Sequence, residues 1–259
     1  MEYKTICYEV KTHYAILTIN RPDEMNALNH LMLHEIEGVL TQVQQNSDVW
    51  GLIITGKGKA FIAGADIKEI PVGNPEAERK GVIEAQNIIN KIAGLEIPTI
   101  AAVNGYALGG GNELAMACDL CIASSKAIFG QPEVSLGVNI CYGGSQRLTR
   151  LVGPRIAKEL LFTGRHIGAE EAKEIGLVNQ IVKPEDLMTT AEELMQKICR
   201  MAPISVRYSK LLVDYSLETN AVEMHEMERN MASVCIVTED LKEGVEAFIR
   251  KRNAVFYNK

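Results

Sequence analysis

Three consecutive glycines, Gly109 to Gly111, constrain more strongly than any other feature what this chain can fold into. They lie between an apolar run at 100–103 and a helical pattern that includes Glu113. A strand that enters a helix through glycines leaves backbone N–H groups free at the positive end of the helix dipole. Because glycine has no Cβ, a ligand can approach that backbone closely. The turn is a candidate oxyanion hole or anion site, although tight packing and nucleotide binding also use such turns.

Two carboxylates accompany this turn. Glu113 lies in the first turn of the predicted helix, and Glu133 follows a proline in a predicted loop after a short strand. Two carboxyl groups beside an oxyanion site could carry out general acid–base chemistry on a carbonyl compound. A first-turn glutamate can also simply complement the helix dipole, so the pattern alone leaves both interpretations open.

Composition limits the possible partners. The 259 residues, 47% of them hydrophobic, are enough for one large domain or one domain with a small appendage. The net charge of −6, with dispersed Lys and Arg, argues against a nucleic-acid surface. No apolar run approaches the roughly 20 residues that span a bilayer, and the N-terminus has no signal-peptide or leader pattern. We therefore expect a cytoplasmic protein without nucleic-acid or membrane partners.

We expect neither a metal site nor a cofactor. The six cysteines are scattered, which is typical of free thiols in a reducing compartment. Cys118 and Cys121 form a C-x-x-C, but no second pair follows at zinc spacing. His30 and His34 are one helical turn apart, yet the sequence HLMLHE is not a zinc-binding H-E-x-x-H.

Hydrophobic periodicity predicts an α/β chain with a largely parallel sheet, without distinguishing a doubly wound sheet from other arrangements. The predicted strands are 5–10, 15–19, 51–55, 99–103 and 177–182, with a loop at 57–66 and helices at about 29–45 and around 85–92. Beyond Pro184 the pattern is entirely helical, over 185–201, 205–217, 221–237 and 241–252. We therefore predict a core with the active site at 1–200 and a C-terminal helical oligomerisation region at 201–259.

Several separated segments are similar to those of one enzyme family and occur in the family's order. They read NRPDEMNALN, KAFIAGADIKE, GYALGGG before a glutamate, FGQPE, GGSQRLTRLVG and LFTGRHIGAEEAKEIGLVNQIV. On these segments the chain resembles the enoyl-CoA hydratase (crotonase) family over nearly its whole length. The resemblance implies an α/β crotonase-like spiral of repeated ββα units with a C-terminal all-helical region.

The resemblance also implies a reaction of fatty acid metabolism, the reversible syn addition of water to a short 2-enoyl-CoA. Glu113 and Glu133 match the family's two catalytic glutamates: the first activates the water that attacks C3, and the second exchanges the proton at C2. Ala65 and Gly110 match the residues whose backbone amides hold the thioester carbonyl oxygen. Such fixed amides are each worth roughly 3–4 kcal/mol at a developing oxyanion.

The implied substrate is an acyl-CoA thioester. The positions that correspond to the family's substrate-binding segments are Ala27, Leu28, Ala63, Asp66, Ile67, Leu108, Pro132, Cys141 and Tyr142. Core packing alone would also explain the apolar members of this set. Because no P-loop spacing is present, phosphate contacts would come from scattered cationic side chains such as Lys251.

One loop departs from the family's pattern. Where hydratases commonly read L-G-x-x-P-G-x-G-G-T, residues 136–145 here place Ile140 at the proline and Cys141 at the glycine. Losing the proline relaxes a φ restriction, and losing the glycine adds a side chain where close approach is needed. We predict that Ile140, Cys141 and Tyr142 reshape the acyl pocket in favour of a short chain; a neutral local variation is the alternative.

Other functions remain open on the sequence alone. The family resemblance also fits an isomerase, decarboxylase or thioester hydrolase, although two glutamates favour hydration. A non-catalytic or RNA-binding member would need a basic patch, and a nicotinamide dehydrogenase would need its G-x-G-x-x-G after the first strand of a βαβ unit. The resemblance implies a homohexamer of two trimers. A stripe of Met224, Met227 and Met231 is typical of a core or subunit interface.

Overall fold

The computed structural model describes residues 3–259, so Met1 and Glu2 lie outside the described residues. Strands and helices alternate as far as residue 182, and helices follow. The strands are β1 (Ile6–Val10), β2 (Ala15–Ile19), β3 (Leu52–Gly56), β4 (Ala60–Ile62), β5 (Thr99–Val103), β6 (Tyr106–Leu108), β7 (Leu120–Ser124), β8 (Ile128–Gly130), β9 (His166–Gly168) and β10 (Gln180–Val182). The helices are α1 (His30–Gln45), α2 (Pro75–Ala93), α3 (Gly110–Ala117), α4 (Gly144–Thr163), α5 (Ala169–Glu174), α6 (Leu187–Cys199), α7 (Pro203–Ser216), α8 (Ala221–Cys235) and α9 (Glu239–Ile249).

Two sheets form the frame of the fold. The larger has the strand order β1-β2-β3-β5-β7-β10, in which only the β1–β2 hairpin is antiparallel. The smaller has the order β4-β6-β8-β9, with β9 antiparallel to β8. Parallel sheets need cover on both faces, which explains why the central strands β3, β5 and β7 are mostly apolar.

Helices cover the larger sheet on both faces. Ile53, Ile100 and Ile122 pack against α6 on one face, where they form a buried cluster with Leu187, Ala191 and Met195. The residues that alternate with these isoleucines belong to the main core, together with the apolar faces of α1 and α2. The buried positions of α2 are those that the periodicity predicts, Ala85, Ile88, Ile89 and Ile92.

The chain passes from the larger sheet to the smaller one immediately before the glycine triplet. β5 ends at Val103, and the chain then turns through Gly105, where a Cβ would lie only 1.9 Å from the carbonyl oxygen of Lys59. It continues as β6 and reaches α3 through Gly109. The carboxyl ends of the parallel strands β4, β6 and β8 are therefore neighbours, and in α/β sheets ligands bind at such ends.

The C-terminal helices are joined to this core by few polar contacts. Lys210 of α7 bonds Asp119, with Nζ 2.5 Å from Oδ1, and its side chain is only 6% exposed. Neither α7 nor α8 contains a buried residue, and Phe248 on α9 is 86% exposed. No helix within residues 3–259 is long and apolar enough to cross a membrane.

Three local predictions are wrong. The predicted loop 57–66 contains β4, because a three-residue strand is too short to show a period. Glu133 begins a short 3₁₀ helix, Glu133–Leu136, and does not lie in irregular loop. The strand predicted at 177–182 starts only at Gln180, because Leu177 and Val178 are buried in the turn after α5.

Candidate active site

The glycine triplet is the centre of the candidate site, and each glycine touches a different part of the molecule. A Cβ on Gly109 would lie 3.1 Å from Oε1 of Glu133, and the positive φ of 50° at this residue also favours glycine. A Cβ on Gly110 would lie 2.8 Å from the ring of Tyr142. A Cβ on Gly111 would lie 2.0 Å from the carbonyl oxygen of Ile62. The triplet therefore admits a carboxylate, an aromatic ring and a core strand at close range.

Glu113 is held inside the protein by two backbone amides. It is 1% exposed, and its Oε1 accepts hydrogen bonds from Tyr142 N at 2.7 Å and Gly144 N at 2.8 Å. No residue in the range 3–259 hydrogen-bonds its other oxygen, Oε2. One carboxylate oxygen is thus fixed by the protein, and the second is left for another partner.

Glu133 approaches the same turn from the end of β8. Its Oε1 lies against Gly109, and its Oε2 is buried without a hydrogen-bond partner among the described residues. A buried carboxyl oxygen without a partner is costly in a folded protein. Such a group is poised to exchange a proton or to accept a hydrogen bond from a ligand.

Burial makes both carboxyl groups weaker acids than usual. Desolvation raises the pKa of Glu113 from 4.5 to about 7, with the charge of Glu133 adding to the rise and the amide of Gly144 opposing it. Desolvation also raises the pKa of Glu133. A general acid or base works best when its pKa lies near the working pH, so this environment suits proton transfer near neutrality.

Backbone amides lie beside the carboxylates. Gly110 is the first residue of α3, where helical N–H groups have no partner within the helix. Ala65 is exposed on the neighbouring segment, where Leu28 N bonds Gly64 O at 2.8 Å and Asp66 N bonds Leu28 O at 2.7 Å. The Cα of Gly64 lies 3.8 Å from the Cβ position of Gly109, so the two segments run side by side.

The loop between the 3₁₀ helix and α4 forms one wall of the site. The Cδ1 of Ile140 and the Cγ of Glu113 lie 2.5 and 2.6 Å from the Cβ position of Gly144, which places the two side chains against each other. Burial raises the pKa of the Cys141 thiol to about 12 and also raises the pKa of the Tyr142 hydroxyl. Both Glu113 and Glu133 add to these rises, so this loop faces both carboxylates.

The predicted CoA-wall residues occupy two adjoining segments. Leu28 is buried and lies within 3.1 Å of the Cβ position of Gly110, and Ile67 is 65% exposed. The carboxylate of Asp66 is used internally, where it pairs with Arg21 at 3.1 Å and caps a short 3₁₀ helix. The same arginine donates to the carbonyl of Ala27 at 2.6 Å. The other predicted lining residues are at the ends of β4, β6 and β8: Ala63, Leu108 and Pro132.

Sequence reasoning missed two polar side chains that support the site. Gln86 of α2 donates from Nε2 to the carbonyl of Cys141 at 2.6 Å. Arg147 of α4 donates to the carbonyl of Tyr142 at 3.4 Å and to Oδ1 of Asn90 at 2.7 Å. Arg147 lies within the GGSQRLTRLVG segment, which is the one signal that could have identified it; Gln86 carries no such signal.

Comparison with known proteins agrees with this geometry. The family model described as enoyl-CoA hydratase/isomerase matches residues 9–259. The chain belongs to the enoyl-CoA hydratase/isomerase family. This membership confirms the resemblance drawn from the separated segments and removes the nicotinamide dehydrogenase alternative.

Relatives in the enoyl-CoA hydratase/isomerase family match over nearly the whole chain. A short-chain enoyl-CoA hydratase of Clostridium acetobutylicum is 45% identical over 97% of this chain and 97% of its own. A crotonyl-CoA hydratase of Syntrophomonas wolfei is also 45% identical, over 100% of both chains. The crystal structure of an enoyl-CoA hydratase from Bacillus anthracis superposes with a TM-score of 0.96 at 38% identity, covering 99% of this chain and 100% of that one. The predicted crotonase-like α/β fold with C-terminal helices is confirmed.

Proposed function

We propose that this family member is a short-chain enoyl-CoA hydratase that reversibly adds water to a 2-enoyl-CoA. The observation that carries the proposal is the pair of buried carboxyl groups, Glu113 and Glu133, beside the amides that start α3. The two relatives at 45% identity, a short-chain enoyl-CoA hydratase and a crotonyl-CoA hydratase, support the same reaction. Two carboxyl groups favour hydration over double-bond isomerisation, which one carboxylate can perform.

In the proposed mechanism the amides of Ala65 and Gly110 hold the thioester carbonyl oxygen. Glu113, fixed through Oε1, takes a proton from a water molecule at its free Oε2 as the water oxygen bonds to C3. The electron pair of the double bond moves toward the carbonyl, and negative charge grows on the oxygen that the amides hold. Glu133 in its protonated form then delivers a proton to C2. Both groups act from one side of the substrate, which gives syn addition.

The acyl pocket is proposed to select short chains. Tyr142 lies over Gly110 at the predicted oxyanion amide, and Ile140 packs against Glu113. Both side chains take space that a longer acyl chain would need. The relatives at 45% identity, one a short-chain enoyl-CoA hydratase and one a crotonyl-CoA hydratase, support a preference for short acyl chains.

The activity is tested by loss of the ultraviolet absorbance of the conjugated enoyl thioester, with crotonyl-CoA and a series of longer enoyl-CoAs. We expect turnover to be fastest with the four-carbon substrate. Product analysis for 3-hydroxyacyl-CoA separates hydration from isomerisation, decarboxylation and thioester hydrolysis. A protein that binds crotonyl-CoA without forming the 3-hydroxy product would contradict the proposal.

We further propose that the protein is a homohexamer of two trimers that acts in the cytoplasm. The support for assembly is the apolar surface of the C-terminal helices, where Val222, Phe248 and Ile249 are exposed. The half-buried methionine stripe of α8 lies in the same region. Sedimentation at micromolar concentration tests the assembly, and a monomer there would refute it. Cell fractionation tests the compartment.

A further inference from the structure

The carboxylate of Glu113 is not anchored by side chains of its own helix. Its two hydrogen-bond donors are backbone amides where the loop before α4 meets that helix, namely those of Tyr142 in the loop and of Gly144, the first residue of α4. The position of the carboxylate therefore depends on the path of this loop. The loop contains Gly143 with a φ of 95° and lacks the proline that would restrict residue 140, so its own sequence fixes its path only weakly.

Helix α2 supplies the missing restraint. Gln86 donates to the carbonyl of Cys141 at 2.6 Å, and this carbonyl belongs to the same peptide group as the Tyr142 N–H that binds Glu113. A hydrogen bond to the carbonyl of a peptide group strengthens the N–H of that group as a donor. Gln86 thus acts on Glu113 through a single planar peptide.

A second contact from the same face of α2 restrains the next peptide group. Asn90, one helical turn after Gln86, accepts from Nη2 of Arg147 at 2.7 Å, and Nη1 of Arg147 lies 3.4 Å from the carbonyl of Tyr142. The guanidinium also lies 2.4 Å from the position that a Cβ on Gly143 would occupy, so it packs directly against the loop. Two consecutive carbonyls, those of Cys141 and Tyr142, are therefore held, and the Tyr142 N–H, which shares a peptide group with the first of them, binds the carboxylate.

We propose that Gln86, with Asn90 and Arg147, forms a clamp that positions Glu113 for proton transfer. Gln86 is a positioning residue, since it contacts the loop and not the reacting atoms. This inference rests on the proposed hydration, for which Glu113 is the general base. Without the clamp, the amide donors of the loop move away from Oε1, and a displacement of about 1 Å at a reacting group can cost 10²-fold in rate.

The test replaces Gln86 by methionine, which has a similar length and no donor for the Cys141 carbonyl. We expect kcat/KM for crotonyl-CoA to fall at least about tenfold, with the loss in kcat and little change in KM. We also expect the acidic limb of the kcat/KM profile to move to higher pH, because weaker donors stabilise the ionised Glu113 less. The matched control is Asn87→Met at the neighbouring exposed position. We expect it to change neither kcat/KM nor the acidic limb of the pH profile.

The other groups that face Glu113 stay in place in this test. They are Glu133 after β8, Arg147 of α4, and Cys141 and Tyr142 of the loop. Asn90→Leu, which removes the acceptor for Arg147 and leaves Gln86, is a second variant and is expected to change the profile in the same direction by less. It keeps the proposal testable if the Gln86 variant folds poorly.

A stability measurement, which does not depend on enzymatic activity, tests the clamp separately from the proposed hydration. The stability gained on Glu113→Gln rises with pH above the ordinary pKa of 4.5 and levels off above the pKa of the folded state, so its midpoint moves up when the folded-state pKa of Glu113 rises. We expect the midpoint to move to higher pH in the Gln86→Met background even if the wild type hydrates nothing. An unmoved midpoint, or a rate loss that is equal at every pH, would overturn the clamp. An inactive wild type with a moved midpoint would overturn only the proposed hydration.

Discussion

Replacing Glu113 by glutamine is predicted to destroy activity while stabilising the protein in a pH-dependent way. The pKa of Glu113 is raised from 4.5 to about 7, so the folded state binds its proton more tightly than the unfolded chain does. The stabilisation that this proton provides is complete below pH 4.5 and is lost as the pH rises through about 7. Glutamine keeps an oxygen for the amides of Tyr142 and Gly144 and has no charge to desolvate.

The size of this stabilisation follows from the rise in the pKa of Glu113. A tenfold difference in proton affinity corresponds to about 1.4 kcal/mol, so the shift from 4.5 to about 7 gives roughly 3 kcal/mol in favour of the variant at high pH. About 2 kcal/mol of this gain falls between pH 5.5 and 8.5. For a chain of this size, the Tm of the variant minus that of the wild type should therefore rise by about 4–8 °C over this pH range.

The assay compares urea or thermal unfolding of Glu113→Gln and wild type across this pH range, at one protomer concentration so that any assembly contributes equally. The control is Glu228→Gln on the exposed face of α8, a site without close packing, for which we expect little change in stability. A Glu113→Gln difference that is constant with pH would refute the argument, because it would mean that folding does not desolvate this charge.

Three further predictions concern the site and its support. Glu133→Gln is expected to lower kcat for crotonyl-CoA hydration by about 10²–10⁴-fold with unchanged CoA-thioester binding by calorimetry, and near-wild-type turnover would contradict its role in proton transfer. Ile140→Pro combined with Cys141→Gly is expected to raise kcat/KM for octenoyl-CoA relative to crotonyl-CoA by about tenfold, whereas an unchanged ratio would mean that this loop does not select chain length. Lys210→Met is expected to cost about 3 kcal/mol in urea unfolding, since it leaves Asp119 without its cation, while the exposed Lys80→Met changes little; equal effects of the two would contradict a structural role for the Lys210 pair.

The sequence predicts those parts of the site whose residues lie together in short contiguous segments. The glycine triplet with Glu113, and the FGQPE segment with Glu133, could be predicted because a strand, a tight turn and a helix start follow each other directly. The long helices α1 and α2 could be predicted because their buried stripes repeat at helical spacing. Neither inference depends on where distant parts of the chain lie.

The support of the site could not be predicted, because it depends on contacts between distant segments. Gln86 lies 55 positions before Cys141, the residue whose carbonyl it bonds, and nothing in α2 distinguishes it from an ordinary polar residue beside the buried stripe. The pairing of Asp66 with Arg21 likewise joins residues 45 positions apart. The strand β4 was missed because three residues carry no periodic signal, yet its carboxyl end leads directly to Ala65.

The crowding around the glycine triplet has a consequence for how this chain tolerates mutation. Side chains at Gly109 meet a carboxylate, at Gly110 the ring of Tyr142, and at Gly111 the backbone of Ile62. In a saturation library, substitutions at the first glycine should give inactive protein of lowered stability, because its positive φ strains any side chain. The effect of those at the second should depend on the size of residue 142. Substitutions at the third should remove soluble protein altogether. Substitutions at three adjacent residues would thus test separately the chemistry of the site, the shape of the pocket and the folding of the chain.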